Sequence, residues 1–139
     1  MPKFGKRSLD KLSTCHKDLQ KIMEGVIDII DFTIVEGERT LEQQQQYFRE
    51  GKSKLDGVTK KSRHQSRPSM AVDIAPWPIN WNDTRRFYFL AGHVMTLADI
   101  LYDMGEITHK VRWGGDWDGD HSFNDQSFHD LPHFELIDP

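Results

Sequence analysis

One cysteine, Cys15, serves the whole chain of 139 residues, so neither an intramolecular disulfide nor a cysteine-based zinc knuckle can form. Cytoplasmic synthesis is the simplest reading of that scarcity. Cys15 precedes His16, but adjacent helical residues do not face each other, and the thiol reads as buried and inert rather than nucleophilic. Long hydrophobic runs are missing too: none approaches the roughly 20 residues that cross a bilayer, which excludes stable membrane insertion by a helix. The amino-terminal "MPKFGKRSLDKL" lacks the apolar stretch of a secretory signal, so export would need another route. An excess of positive charge is also absent. Eighteen Lys and Arg stand against 22 Asp and Glu, a net charge of −4 that argues against a dedicated nucleic-acid binder.

What is present suffices for one domain, residues 1–139, because a chain this long buries roughly two-thirds of its unfolded surface. Eight Phe, four Trp and three Tyr can build the core. Charge is uneven: residues 1–67 hold 14 Lys/Arg and 10 Asp/Glu, residues 68–139 hold 4 and 12. The basic excess gathers in "GKSKLDGVTKKSRHQSR", residues 51–67, a solvated loop or a patch that attracts an acidic polymer.

Apolar spacing from Leu9 through Leu12, Leu19, Ile22, Met23, Val26, Ile29 and Ile30 predicts a helix capped at Ser8. "FTIVEG" alternates as a short strand, and Thr40 with Gln43 forms a capping box opening a helix that Gly51 ends. "MAVDIAPWP" reads as a second strand. Asp83 caps a helix marked by Phe87, Leu90, Val94, Leu97, Leu101 and Met104 and stopped by Gly105. "HKVRWGG" reads as a strand, residues 116–130 as an acidic loop, and "HFEL" as a terminal strand. This order predicts an α+β fold, a small, mostly antiparallel sheet packed against about three helices.

Three polar residues resist a purely structural account. In "AVDIA", Val72 and Ile74 share the core face, which turns Asp73 to the other face beside small Ala71 and Ala75. In "HFEL" the same alternation points Phe134 and Leu136 inward and His133 and Glu135 outward. His64 lies in the loop leading into the Asp73 strand. Two histidines and a carboxylate suffice for a catalytic zinc that keeps one position for water. Zinc acidifies that water and polarises a carbonyl, while a separate carboxylate moves the proton. Asp130, three residues before His133, can reach without being a ligand. The competing account makes His64 a loop histidine, pairs Asp73 with a lysine and packs His133 on a tryptophan.

The order "SRHQSRPSMAVDIAP", "RWGGDW", "HDLPHFEL" resembles the M15 metallopeptidases, which include D-Ala-D-Ala carboxypeptidases and phage L-alanyl-D-glutamate endopeptidases. The resemblance runs from about Phe32 to Leu136. It implies their Hedgehog/D-Ala-D-Ala peptidase fold, zinc on His64, Asp73 and His133, and Asp130 as general base. In "GERT" it makes Arg39 a substrate-binding and charge-stabilising residue, and it adds Ser62 as a contact to substrate or to the residues holding the metal. Its small size suits a phage endolysin: a monomer made in the host cytoplasm, released to the wall through a separate factor, and cutting peptidoglycan peptide stems. One departure is the longer, glycine-free loop between His64 and Asp73, which predicts a reshaped rim.

"DWDGDHSFNDQS" suggests a second ion. Asp116, Asp118, Asp120, Ser122 and Asn124 have the alternate spacing of a calcium loop. His121 stands where such a loop wants glycine, and Ser127 where it wants glutamate; the simpler reading is a solvated acidic loop. His121 and His129 are alternative zinc ligands. Other functions remain on the table. An HD-type phosphohydrolase is suggested by His129-Asp130, although Pro132 and the alternating "HFEL" disfavour the helix it needs. The others are a D-Ala-D-Ala carboxypeptidase or dipeptidase of the same family and a non-catalytic wall-binding or virion component.

Overall fold

Polar residues at 13–16 break the long amino-terminal helix that the apolar spacing predicts. In the computed structural model, which describes residues 2–124, 126 and 128–139, α1 spans Lys6–Leu12 and α2 spans Lys17–Ile27. Ser13 and Thr14 donate their hydroxyls to the carbonyls of Asp10 and Lys11, each at 2.6 Å, competing with the helix for its backbone groups. The His16 N–H leaves the helical path for Ser69 O at 2.9 Å, and its ring caps α2 by accepting from Asp18 N. Ser8 does not cap; it lies buried within α1, bonded to Thr33 Oγ1 and Ile34 N on the next strand. Leu9 and Ile29, which contribute to that apolar spacing, are exposed.

Strands β1 (Phe32–Glu36), β2 (Ala71–Pro76), β3 (Lys110–Gly114) and β4 (Asp130–Ile137) form one antiparallel sheet in the order β1-β2-β4-β3. The α+β expectation holds. Between β1 and β2 come α3 (Leu41–Arg49), opened by the Thr40/Gln43 capping box, and a 3-10 turn at Arg63–Gln65; α4 (Thr84–Asp103) precedes β3. Gly51 and Gly105 end α3 and α4 with φ of 75°, a conformation glycine adopts without steric cost. Asp83 occupies the α4 cap position without a side-chain bond.

Strand β4 starts at Asp130, earlier than the expected "HFEL". Its register against β3 jumps from Trp113↔Phe134 to Gly114↔Asp130, leaving residues 131–133 bulged out. Pro132 lies in that bulge, so its missing N–H removes no rung from the ladder. The core gathers on one sheet face: Leu19, Ile22, Met23 and Val26 of α2, Leu90 and Val94 of α4, and Ile34, Val72, Ile74, Phe134 and Leu136. Strand alternation therefore sends Asp73, His133 and Glu135 to the opposite face. Among the described residues no helix is long and apolar enough to cross a membrane.

Candidate metal centre

Asp73 of β2 and His133 of β4 are direct cross-strand partners, and cross-strand neighbours meet side by side. The short turn at residues 63–65 brings in the third group. His64 Nε2 stands 3.2 Å and His133 Nδ1 3.1 Å from the same atom, Asp73 Oδ1. The outer ring nitrogens are taken. His64 Nδ1 donates to Gly37 O at 2.8 Å and His133 Nε2 donates to Glu135 Oε1 at 2.7 Å. In a neutral imidazole only one nitrogen carries a proton, so each histidine turns a bare lone pair toward a carboxylate oxygen. That arrangement is repulsive unless a proton or a metal cation sits among the three atoms, and the donor set fits a divalent metal ion.

The same hunger for positive charge governs the titrations. Burial disfavours the imidazolium of His133, yet Asp73 and Glu135 outweigh it and push the pKa up to about 10. Burial alone would raise Asp73, but the two histidines hold it far below the usual carboxylate range. Glu135, also buried, is drawn down to about 2 by His133 and Arg112.

Local supports locate each of the three side chains. Ser62, which also lines the cleft, caps the 3-10 turn: its hydroxyl accepts from His64 N at 3.2 Å, and Gln65 closes the capping box. Gly37 presents its carbonyl to His64 while packed so tightly that an added Cβ would lie 2.4 Å from Thr14 Oγ1. The residues between His64 and Asp73 turn away from the cleft. Ser69 bridges to Cys15, and Met70 N returns to Arg63 O, so their extra length builds the junction with α1 and α2 instead of a rim. Cys15 is buried, and burial pushes its thiol up to about 12.

Asp130 opens β4 with Oδ2 4.0 Å from His133 Nδ1. Burial first, then repulsion from Asp73, raises its pKa; a divalent ion nearby would act in the opposite direction. Gly114 makes this position possible, since a Cβ there would fall 2.1 Å from Asp130 O. Arg39 is brought to the site but is already engaged. Nε and Nη2 grip Glu36 at 3.0 and 2.7 Å, Nη1 donates to Gln44 Oε1 at 2.6 Å, and Tyr47 stacks at 4.8 Å. Its nearest approach to a ligand is 3.9 Å, to Asp73 Oδ2. Arg39 is thus paired with a glutamate, buried and against the site.

A cleft of about 530 Å3 opens over the triad, lined by Arg39, Arg63, Arg112, Trp117, Asp130 and Glu135 among others, room enough for a few residues of an extended chain. The sequence did not single out Trp117, whose ring lies 5.6 Å from that of His133 and stacks on Phe128. No lysine is within salt-bridge reach of Asp73 among the described residues; Lys52, Lys54 and Lys61 of the basic segment line the cleft instead.

Two further groups among the described residues place ligand-type atoms within 4.8 Å of one another. In His16, Asp18 and His109 the carboxylate is occupied, Asp18 Oδ2 accepting from Thr108 N, Thr108 Oγ1, His109 N and His109 Nδ1. In Asp116, Asp118 and Asp120, Asp116 Oδ2 accepts from His121 N while Oδ1 is buried without a hydrogen-bond partner. His121 takes the φ of 64° that a calcium loop assigns to glycine. Ser127 lies outside the described residues. His129 lies near Gln126, 3.4 Å away, and neither it nor His121 joins the zinc-type triad.

Residues 1–137 match the family described as phage L-alanyl-D-glutamate peptidase. The chain is 33% identical over 144 positions to the L-alanyl-D-glutamate peptidase of Escherichia phage T5, covering 97% of this chain and 98% of that one. The crystal structure of the Serratia marcescens L-Ala D-Glu endopeptidase ChiX matches with a TM-score of 0.71 at 26% identity, over 97% of this chain and 90% of that one. The vancomycin-resistance D,D-pentapeptidase VanY, solved in complex with Zn(II), shares the fold with a TM-score of 0.50 at 18% identity, over 91% of this chain and 70% of that one.

Proposed function

The chain belongs to the phage L-alanyl-D-glutamate peptidase family, and from that premise we propose that it is a zinc peptidase hydrolysing the L-Ala–D-Glu bond of peptidoglycan stems. The convergence of His64 Nε2 and His133 Nδ1 on Asp73 Oδ1, with both outer nitrogens committed, carries the reading. These three residues would hold the ion, and zinc there supplies Lewis acidity toward the scissile carbonyl and acidifies water. Asp130 takes the proton of the attacking water and returns it to the leaving amine, the work its position beside His133 allows. Glu135 fixes the His133 tautomer. Arg39 lies 3.9 Å from Asp73 Oδ2 and offers substrate a donor only from what Glu36 and Gln44 leave. Trp117 and Phe128 wall the cleft against water. The chain works as a single catalytic domain and a monomer, made in the host cytoplasm and reaching the wall through a separate factor to cause lysis.

Mass spectrometry of digested muropeptides, with and without a chelator, tests the bond and the metal together. New L-Ala and D-Glu termini that vanish with chelator are expected. Release of D-Ala would make the chain a carboxypeptidase, and intact muropeptides would leave a wall-binding or virion component.

We propose calcium as a second ion, at Asp116, Asp118 and Asp120, because burying the partnerless Asp116 Oδ1 is costly without a cation. Burial, then Asp120 and Asp118, raise the Asp116 pKa, as unbalanced negative charge does. Calorimetric titration of the zinc-loaded protein should show one calcium equivalent; none would remove this site.

A further inference from the structure

A bond between L-Ala and D-Glu leaves one carboxylate of the glutamate free, whichever of its two carboxyls continues the chain. That charge sits on the residue whose nitrogen is the leaving group, so a cleft cutting this bond has an anion beside its metal. We propose that Arg63 and Arg112 form the subsite that binds this carboxylate. The proposal rests on the peptidase reading above.

The cations of the cleft differ in how much they have left to give. Arg39 is 9% exposed and has spent three donors on Glu36 and Gln44. Lys52 pairs with Glu50 at 3.2 Å, and Lys54 lies over the Phe128 ring at 5.3 Å. Arg63 and Arg112 line the same cleft with side chains 44% and 39% exposed, close enough to solvent to meet a substrate. Both lean on one atom, Glu135 Oε2, Arg112 Nη2 at 2.7 Å and Arg63 Nε at 3.6 Å. Glu135 spends its other oxygen on His133. Two guanidiniums and an imidazole N–H thus share one carboxylate, which leaves a net positive charge and unspent donors. Arg112 Nε is buried with no partner, and the Trp117 ring flanks the guanidinium at 6.0 Å.

Glu135 therefore does two jobs. It orients His133 and gathers the arginines, holding their planar forks in place before substrate arrives. A guanidinium suits a carboxylate better than an ammonium because its parallel N–H groups match both oxygens. The position is right as well. Polar contacts run from Arg112 through the Glu135 carboxylate and the His133 ring to Asp73, so an anion held there belongs to a residue next to the reacting bond.

The test uses two synthetic stem peptides, identical except that one has the free glutamate carboxylate converted to its primary amide. The zinc-loaded wild-type protein should cut the amide peptide with kcat/KM lowered about tenfold to a hundredfold, the worth of one charge-assisted pair, mainly through KM. In Arg63→Gln, and separately in Arg112→Gln, this preference should fall toward one while bound zinc, measured by elemental analysis, stays at the wild-type equivalent. Arg63→Gln leaves the Arg112–Glu135 pair intact, so it answers even where Arg112→Gln loosens His133. Equal cutting of both peptides by the wild type, or full preference in both variants, overturns the subsite and leaves the peptidase standing. Failure of the zinc-loaded wild type to cut either peptide overturns the peptidase reading itself.

Discussion

Asp130 and Glu135 are both carboxylates near His133, and their surroundings assign them opposite work. Asp130 has its side chain 34% exposed and 4.0 Å from His133 Nδ1, on the side where water and substrate meet. Replacing it by asparagine removes the proton acceptor but keeps the shape. We expect Asp130→Asn to lower kcat by about 10^2- to 10^4-fold with zinc still bound, read by steady-state kinetics beside metal analysis; near-normal turnover would move the proton transfer elsewhere. Glu135 touches the far nitrogen of His133, where its charge strengthens the ligand. Glu135→Gln should weaken zinc affinity roughly 10- to 100-fold in a competition titration while circular dichroism stays unchanged. Unaltered affinity would reduce Glu135 to an arginine anchor.

Among the elements, the junction of β3 with β4 controls the geometry most tightly. Residues 131–133 bulge where Gly114 faces Asp130, and there is no space at Gly114 for a side chain. Gly114→Ala must push the start of β4 outward, and overpacking of this kind costs about 1–3 kcal/mol. A lower denaturation midpoint together with a kcat loss larger than that midpoint explains is the expected result. A variant with wild-type kcat would show that Asp130 tolerates displacement. The turn at residues 63–65 is the second controlling element. It is short and closed at its start by the reciprocal Ser62/Gln65 capping box, so the position of His64 is set by a local motif and not by a long loop.

At the scale of the whole molecule, Asp18 joins α2 to the approach of β3 through four hydrogen bonds to one oxygen. Burial would raise its pKa, but the bonds from His109 and Thr108 outweigh that and carry it below the ordinary value. With the folded pKa under the unfolded value of about 3.9, the stability it contributes is complete above that pH and is lost as pH falls through the folded pKa. Asp18→Asn should cost about 1–3 kcal/mol at neutral pH and flatten the acid limb of stability measured by urea unfolding across pH. An unchanged acid limb would place the acid sensitivity in other carboxylates.

Alternation in "AVDIA" and "HFEL" was enough to put Asp73, His133 and Glu135 on one sheet face, because strand side chains alternate by covalent geometry. The Thr40/Gln43 box and the Gly51 and Gly105 stops were legible for a similar reason: caps are satisfied within a few residues. The break after Leu12 was not legible, since it depends on Ser69, which lies far along the chain and accepts the His16 N–H. Nor could spacing show that Asp73 and His133 stand opposite each other, that Gly37 turns His64, or that Ser62 caps the turn that carries His64. Residue types and their local periodicity determined the fold class and which polar side chains share a sheet face. Strand register and packing between distant segments decided which nitrogen of each histidine faces Asp73 and which arginines gather on Glu135, because those contacts form only when residues far apart in the chain are brought together.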